Sequence, residues 1–329
     1  MNLICFDLEG PLAPQDNAYE LMKLFPCGGK IFEVISRYDD LLTLESRPDY
    51  EPGDTLALIT PFLAYHGIEE EQIAAMGQKA GLTPGATELI FKLKSRGWYI
   101  FCISTSYEQY AFPITQRLGI PSENVACTSF PLAQIRQLLG QDEFALLEQT
   151  EHEIVNLNPF TDDTKIREYL DYFYWQKLPQ TSSGGIIGQV KPVGGKRKVQ
   201  ALENFSTKMG NPLSRWTVVG DSITDSKMLQ TVNKAGGLAI AFNANEYALK
   251  YATMSVASVS LDDLWIVLKA WEKGGRRVVE GVVKERGKAG GTKDREWFHW
   301  LDGTKDITPA LEIHKRIRRL VREEAAKLG

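Results

Sequence analysis

The chain has 329 residues, enough for one large domain or two modest domains with separate cores. Hydrophobic residues make up 43% and charged residues 24%, as in ordinary globular proteins, and the longest apolar runs are too short to cross a membrane. The first residues, MNLICFDLEG, lack a basic segment, so they predict a strand rather than a secretion signal. The cysteines form no CxxC pair, which predicts a reducing, cytoplasmic setting: Cys5, Cys27, Cys102 and Cys127.

The net charge of −4 is unevenly distributed along the sequence. Residues 266–329 contain 16 basic and 10 acidic residues, a net of +6, so the rest of the chain carries −10. Such a tail either binds an anionic partner or forms the solvated faces of amphipathic helices, and the interleaved acids favour the second interpretation. An acidic body with no basic, aromatic-rich surface predicts that the protein does not bind nucleic acid.

Six short apolar runs alternate with helical patterns along the chain. Each run is continuously apolar, as expected for strands of a parallel sheet that is buried on both faces. A helix is predicted from Thr83 to about Gly97, and others over about 107–118, over 196–208 and after position 221. This alternation predicts an α/β fold with a doubly wound parallel sheet. The predicted strands are 3–6, 98–103, 125–130, 216–220, 238–242 and 254–259.

Two helical stretches interrupt the alternation. Residues 15–83 show helical patterns with no strand between them, which predicts a cap inserted after the first strand. Residues 131–183 predict a second helical insertion, and residues 263–329 form a basic C-terminal extension. The remaining segments are expected to form one catalytic core: 1–14, 84–130 and 184–262.

The extension is rich in Gly and Lys before it closes with a helix that Thr308 and Pro309 are expected to start. Apolar residues at helical spacing predict that this helix docks on the protein itself, on a second subunit or on another protein partner. The predicted docking stripe is Ile313, Ile317, Leu320, Val321 and Leu328.

Two pairs of carboxylates follow predicted strands at the edge where open α/β sheets bind ligands. Asp7 leaves the first strand, Glu9 follows two residues later, and Gly10 permits a tight turn. Asp221 directly follows a buried strand, and Asp225 comes four residues later. Converging carboxylates of this kind commonly hold Mg²⁺. Asp7 and Glu9 could instead form an ordinary polar strand end, and Asp221 a helix cap, but a cap alone leaves Asp225 unexplained.

Two further segments could contact a phosphate. Ser104 follows an apolar strand, and the helix after it offers N-terminal donors to a phosphate oxygen. Lys196 follows two glycines at a predicted helix start, where it could neutralise a phosphoryl group. Each signal is weak alone, since a lysine at a helix start is commonly solvated.

In this order and spacing, DLEGPL, ISTS, GGKRK and GDSITD resemble the four motifs of the haloacid dehalogenase superfamily. The stretch GGLAIAFNANEYALKYA is similar to the segment after the fourth motif in phosphoserine phosphatases. Glu9 stands where the superfamily usually has aspartate, and DLEG resembles the bifunctional phosphoserine phosphatase/homoserine phosphotransferase branch. The overall layout also resembles an archaeal-type group called energy-converting hydrogenase A subunit R. The resemblance covers the core segments and leaves out 131–183 and the extension.

The resemblance implies a Mg²⁺-dependent phosphatase that forms an aspartyl-phosphate. Asp7 would be the nucleophile, and Glu9 would protonate the leaving oxygen and later activate water. Mg²⁺ would be held by Asp7, by Glu9 through its backbone carbonyl, and by Asp221, with Asp225 as a further ligand or an orienting group. Because glutamate is one methylene longer than aspartate, Glu9 must fold back to act as the acid and base.

The same resemblance assigns residues to the substrate. Ser104 and Lys196 would stabilise charge on the phosphoryl oxygens, with Thr105 beside them. Arg37 in the cap is a candidate contact for an anionic substrate group, although a surface role is the commoner one for such an arginine. The four histidines lie far from the motifs and are interpreted as structural: His66, His152, His299 and His314.

Two alternatives to a phosphatase of small phosphorylated metabolites remain open. A phosphotransferase would pass the phosphoryl group to an alcohol instead of water. A non-catalytic subunit of a larger assembly would use the same fold as a scaffold, an idea motivated by the basic extension and the second insertion. Against the scaffold, a site without a reaction has no physical reason to keep so many costly charged groups together.

Overall fold

The computed structural model describes residues 1–45 and 47–322. Its centre is a seven-stranded sheet with the order β3-β2-β1-β4-β5-β6-β7, in which β1 to β6 are parallel and β7 is antiparallel to β6. Helices cover both faces, so the predicted doubly wound α/β fold is confirmed. The strands are β1 (Leu3–Asp7), β2 (Tyr99–Tyr107), β3 (Val125–Thr128), β4 (Trp216–Gly220), β5 (Leu238–Phe242), β6 (Met254–Ala257) and β7 (Trp297–Trp300).

The helices fill the segments between strands and the two insertions. Within α14, Gly274 and Gly275 leave helical geometry, which breaks this long element into two rods. The helices are α1 (Asn17–Met22), α2 (Gly28–Leu44), α3 (Thr55–Tyr65), α4 (Glu70–Lys79), α5 (Ala86–Ser95), α6 (Glu108–Arg117), α7 (Leu132–Leu138), α8 (Gln141–Ile154), α9 (Asp163–Tyr172), α10 (Gly184–Ile187), α11 (Lys196–Met209), α12 (Ser226–Lys234), α13 (Glu246–Leu249), α14 (Trp265–Ala289) and α15 (Thr308–Arg322).

Alternate residues of β1 enter two separate apolar clusters on the two faces of the sheet. Ile4 and Phe6 belong to one cluster, and Leu3 and Cys5 belong to the other. Burial on both faces explains why the strand sequences are continuously apolar. The six predicted strands all form, each within a few residues of its predicted ends. No pattern in the sequence predicts β7, a four-residue edge strand in the Gly- and Lys-rich extension.

The helices of the cap pack against those of the second insertion. In α2, the Tyr38 hydroxyl donates to Asp171 in α9 (2.5 Å), and Arg37 forms an ion pair with Asp163 (2.6 Å). Beyond α9, the Tyr174 hydroxyl donates to a backbone carbonyl of α3 (2.7 Å). The domain boundaries proposed from the sequence remain predictions, since helices of the two insertions share one apolar cluster with the core. No helix in the described part of the chain is long and apolar enough to span a bilayer.

The closing helix forms, but the predicted docking stripe is wrong. The residues of α15 that are buried are Ala310, His314, Ile317, Arg318 and Arg322, whereas Leu320 is 55% exposed. Ile317 is the one member of the predicted stripe among them, and Leu328 lies outside the described residues. The helix therefore docks by a largely polar face, which hydrophobic periodicity cannot reveal.

Candidate active site

The first and fourth motifs meet at the carboxyl edge of the sheet. Asp7 is the last residue of β1, and β1 pairs in parallel with β4, placing Phe6 beside Val219. Asp221 directly follows β4, so its carboxylate leaves the sheet next to that of Asp7. Both side chains are almost fully buried. This placement follows from the parallel pairing, because all carboxyl ends of a parallel sheet lie at one edge.

Gly10 allows the two motifs to approach each other. Its φ of +98° is a conformation that side chains rarely adopt. A Cβ at this position would also overlap the carboxylate of Asp221. Position 10 therefore requires glycine for two reasons: the positive φ of its backbone and the closeness of the Asp221 carboxylate.

Three carboxylates form one cluster at this edge. Asp7, Asp221 and Asp225 each place an oxygen within 4.8 Å of the others, and all three are buried. Asp225 is fixed by its own loop, since its Oδ2 accepts hydrogen bonds from the backbone N–H of Asp221 (2.9 Å) and of Ser222 (3.1 Å). Burial, with Asp225 nearby, raises the pKa of Asp7 well above its usual range. The cluster therefore has a strong tendency to bind protons or cations.

The lysine that contacts the cluster is Lys198, and the sequence-based choice of Lys196 is not supported by its position. Lys198 is fully buried at the start of α11, with its Nζ 2.7 Å from Asp7 Oδ1 and 2.7 Å from Asp225 Oδ1. Lys196 has a side chain that is 79% exposed, and its Nζ lies 3.3 Å from Glu51 of the cap. Residues two apart on a helix point about 200° away from each other, so only one of the two lysines can face the site.

Lys198 stays charged despite its burial. Burial by itself lowers the pKa of a lysine, but the carboxylates of Asp225 and Asp7 raise it above the usual range. One cation thus bridges two of the three carboxylates. This arrangement holds Asp7 in place and leaves its charge partly neutralised.

Glu9 lies beside the cluster in a half-buried position. Its Oε1 accepts a hydrogen bond from the backbone N–H of Asn17 (2.6 Å) at the start of α1. Burial and the nearby charge of Asp16 raise the pKa of Glu9 to about 7, while the Asn17 N–H and the cation of Arg322 oppose that rise. A carboxyl group with such a pKa can both donate and accept a proton near neutrality.

The second motif lies on the strand next to Asp7. Ile103 of β2 pairs with Asp7, so Ser104 comes one residue beyond that level, where its buried hydroxyl accepts from the Ser106 N–H (3.0 Å). The Thr105 hydroxyl donates to the carbonyl of Val193 in the third motif (3.3 Å). These contacts connect the second and third motifs around the end of β1.

The cap reaches the same edge through residues 51–54. A Cβ on Gly53 would lie 2.6 Å from Thr105 Cγ2, so the cap backbone touches the second motif. Glu51 accepts from the Lys196 N–H (2.9 Å) and from Lys227 Nζ (2.6 Å). Glu51 thereby accepts the first backbone N–H of α11 and attaches the cap segment to the core. The exposed Lys196 contributes to this contact rather than to the carboxylate cluster.

Arg37 and the histidines do not join the cluster. Both Nε and NH2 of Arg37 donate to the Asp163 carboxylate, at 2.8 Å and 2.6 Å, which commits the guanidinium to a contact between α2 and α9. His66 pairs with Glu151 at 2.7 Å. Nδ1 of the buried His314 accepts from the Ala244 N–H at 2.8 Å, which anchors α15. The contacts of His66 and His314 agree with the structural role expected from the sequence.

Sequence analysis missed two site residues in the C-terminal extension. Arg318 and Arg322 of α15 both donate NH1 to Asp221 Oδ2, Arg322 at 2.8 Å. Arg322 also donates Nε to the carbonyl of Pro14 (3.1 Å). The one available signal was the spacing of four residues on a single helix face, a spacing that is equally common among solvated charges.

Comparisons with known proteins agree with this fold. The gene product AF1437 from Archaeoglobus fulgidus has a structure that matches 100% of this chain and 99% of its own, with 29% identity and a TM-score of 0.86. The structure described as a phospho-aspartyl intermediate analogue of phosphoserine phosphatase matches 80% of this chain and 97% of its own, with 18% identity and a TM-score of 0.50. At that identity the second likeness concerns the fold.

Two curated relatives point the same way. The chain is 22% identical over 81% of its length to a phosphoserine phosphatase of Archaeoglobus fulgidus, and 25% identical over 43% of its length to the chloroplastic phosphoserine phosphatase of Arabidopsis thaliana. It spans 60% and 45% of the lengths of these two proteins, respectively. No family model matches the sequence. Fold and relatives together show that the chain is similar to AF1437 over its whole length and to phosphoserine phosphatases over part of theirs.

Proposed function

We propose that the protein hydrolyses the phosphate ester of a small metabolite through a phosphoryl group carried on Asp7. The observation that carries this proposal is the buried contact between Asp7 and Lys198 at the carboxyl edge of the sheet, with Glu9 two residues after Asp7. A carboxylate held by a permanent cation and adjacent to an acid–base group is suited to attack phosphorus. The relatives named phosphoserine phosphatase support the same reaction class.

We expect Oδ2 of Asp7 to be the attacking oxygen. Asp7 Oδ1 accepts from the Leu8 N–H (2.8 Å) and contacts Lys198 (2.7 Å), which leaves Oδ2 for attack on phosphorus. As the bond from Oδ2 to phosphorus forms, the bond to the leaving oxygen breaks, and Glu9 delivers a proton to that oxygen. Water then loses a proton to Glu9 and attacks the same phosphorus, which releases phosphate and restores Asp7.

Other groups stabilise the charge that develops on the transferred phosphoryl group. Lys198 supplies a fixed positive charge from the core side, in the role that the sequence had assigned to Lys196. We expect the Ser104 hydroxyl, near the end of β2, and the donors near the start of α6 to bind phosphoryl oxygens. Thr105 holds the second motif against the third and so acts through position rather than through contact with phosphate.

The donor set fits a hard divalent cation such as Mg²⁺. Three carboxylate oxygens lie within 4.8 Å of one another, and oxygen ligands of this type are those that Mg²⁺ prefers. We expect Asp221 and the Glu9 carbonyl to bind the ion together with Asp7 Oδ1, which would share its charge between the ion and Lys198 because Oδ2 is needed for the attack. The Asp225 oxygens are occupied by Lys198 and backbone N–H groups, so Asp225 orients its neighbours. The ion would supply positive charge to phosphoryl oxygens.

We expect the cap to favour a small substrate. Gly53 lies against Thr105, and Glu51 ties this part of the cap to α11, so the cap reaches the edge of the sheet that carries Asp7. A covered site excludes water during phosphoryl transfer and disfavours macromolecular substrates. We therefore expect a soluble, cytoplasmic phosphorylated metabolite, and phosphoserine comes first in the test because relatives carry that name.

The test is release of inorganic phosphate from a panel of phosphorylated metabolites, with and without Mg²⁺, by wild type and by Asp7→Asn. We expect metal-dependent release that is lost in the variant, together with a ³²P label that wild type retains after an acid quench. Transfer of label to an added alcohol without phosphate release would instead indicate a phosphotransferase. Neither release nor transfer, with the fold intact, would contradict catalysis and favour a role in assembly.

A further inference from the structure

Two buried arginines of α15 occupy the carboxylate that the proposed function needs for its cation. The side chains of Arg318 and Arg322 are only 5% and 6% exposed. Both place NH1 on Asp221 Oδ2, and Arg318 NH1 also lies 3.3 Å from the carbonyl of Asp221 and 3.2 Å from that of Asn243. Two charged donors saturate this oxygen, because a carboxylate oxygen offers about two lone-pair sites.

The three carboxylates of the cluster are matched by three cations without any metal ion, and Glu9 and Asp16 lie close enough to act on Arg322 as well. Three buried carboxylates face three buried cations: Asp7, Asp221 and Asp225 face Lys198, Arg318 and Arg322. Adding a divalent ion to this arrangement would place two further positive charges beside two guanidinium groups in a buried site, where repulsion is weakly screened. Exchange of the two arginines for one divalent ion conserves the total charge.

The docking face of α15 is suited to such an exchange. Of its five buried residues Ala310 and Ile317 are apolar, and Leu311 also packs against the apolar cluster of the core, so the buried face of the helix combines apolar packing with polar contacts. His314, Arg318 and Arg322 follow one another at intervals of four along the same face, and the contacts described above are all polar. Part of what holds the helix is thus the carboxylate that a metal ion would also bind.

We propose that α15 is an internal competitor of the divalent cation: Arg318 and Arg322 neutralise Asp221 while the helix is docked, and the ion binds when they leave. The inference rests on the proposed function only for the identity of the ion. It gives the C-terminal extension a role at the active site, since the extension would set the concentration of metal at which the site fills. On this proposal α15 leaves the site when the metal ion replaces the two arginine charges at Asp221.

The first experiment measures Mn²⁺ and Mg²⁺ affinity by titration calorimetry, without substrate, for wild type and for the double variant Arg318→Gln/Arg322→Gln. We expect the double variant to bind at least about tenfold more tightly, since two opposing charges are gone. The matched control is Lys315→Gln/Arg319→Gln, which removes two charges from exposed positions of the same helix and should bind as wild type does. Unchanged or weaker binding by the double variant would overturn the inference, because the arginines would then support Asp221 as a ligand.

The second experiment uses wild type alone, so it stands even if the double variant fails to fold. Hydrogen exchange of the α15 amides is followed while Mn²⁺ is added, with the amides of α5 as the reference. We expect exchange in α15 to accelerate as the ion binds and α5 to remain unchanged. Unaltered protection of α15 at saturating Mn²⁺ would overturn the displacement. Neither experiment needs a substrate, so both effects could appear in a protein that hydrolyses no ester, and the proposed function alone would then fail.

Discussion

Asp221 and Asp225 lie four residues apart at one edge of the sheet, yet their charges are balanced from different parts of the molecule. Asp225 is held by Lys198 of the core and by the N–H groups of its own loop. Asp221 is held by Arg318 and Arg322, which lie 97 and 101 residues further along the chain. The first arrangement belongs to the local motif, and the second depends on the extension.

This difference separates the permanent ion pairs of the site from those that a metal ion can replace. The contact between Lys198 and Asp225 is fully buried between two core elements, and breaking it would leave an uncompensated charge inside the protein. The contacts of Asp221 come from a helix of the extension, in which three of the five buried residues are polar or charged. The half of the site that holds Asp7 is therefore rigid, whereas the half around Asp221 can exchange one kind of cation for another.

The largest expected effect is that of replacing Lys198, in the rigid half of the site that holds Asp7. Lys198→Met should lower the free energy of unfolding by about 3–5 kcal/mol, because it leaves Asp7 and Asp225 buried without their cation. It should also lower the rate of phosphate release by about 10²–10³-fold, since the charge beside the phosphoryl group is lost. Guanidinium denaturation and the phosphate assay measure the two effects.

Lys196→Met is the matched control for this prediction. It removes a lysine two residues earlier, whose exposed side chain pairs with Glu51, so the free energy of unfolding should fall by less than about 1 kcal/mol. Equal losses of stability in the two variants would show that Lys198 is not the buried cation of the cluster.

A smaller effect is expected where the two halves meet, at Gly10. Gly10→Ala places a Cβ into the Asp221 carboxylate and forces a residue with a side chain to a φ of +98°. We expect a loss of about 2–4 kcal/mol in the free energy of unfolding from strain and overpacking together. Thermal denaturation, monitored by circular dichroism, measures the loss.

Gly97→Ala separates the two causes. Gly97 also has a positive φ, of +73°, but a Cβ there meets nothing within 4 Å. The cost should be only the backbone strain, about 1–2 kcal/mol. If both variants lost the same stability, the close approach of Asp221 to Gly10 would be contradicted.

Local patterns were sufficient for the sheet and for the carboxylates. Continuous apolar runs predicted β1 to β6, and residues that follow such runs must lie at the carboxyl edge, so Asp7 and Asp221 were found from the sequence. The lysine that contacts the carboxylates is Lys198, two positions after the predicted Lys196. In GGKRK either lysine could face the site, and the choice depends on where α11 begins, which the Gly195 conformation and its contact with Glu51 decide.

The arginines could not be found from local pattern at all. Arg318 and Arg322 look like charges on a solvated helix until the chain is placed beside β6: β7 ends at the amino end of that strand, and α15 then runs back to Asp221 at the carboxyl edge. That edge strand is four residues long and gave no signal of its own. The apolar stripe that was chosen instead would have buried Leu320, which the structure leaves exposed.

The smallest expected effect concerns His314, which anchors α15 and so the two arginines that contact Asp221. His314 is fully buried, and its Nδ1 accepts from the Ala244 N–H (2.8 Å), so it must be neutral in the folded protein. Burial, with His299 and the cation of Arg318 nearby, lowers the pKa of His314 to about 3. An unfolded histidine has a pKa of about 6.5. The stability that His314 contributes is therefore complete above about pH 6.5 and is lost as the pH falls from there towards about 3.

His314→Asn isolates this contribution, because the amide oxygen can accept the same hydrogen bond without titrating. Between pH 7.5 and pH 5.5 the wild type should lose about 1.4 kcal/mol of unfolding free energy more than the variant, the amount for one pH unit below about 6.5. Guanidinium titrations at the two pH values measure the difference, and hydrogen exchange should show α15 losing protection first. A parallel pH dependence in the two proteins would mean that His314 already carries its proton in the folded state. The helix would then carry a third cation near Arg318, and the exchange of its cations for one metal ion would no longer conserve charge.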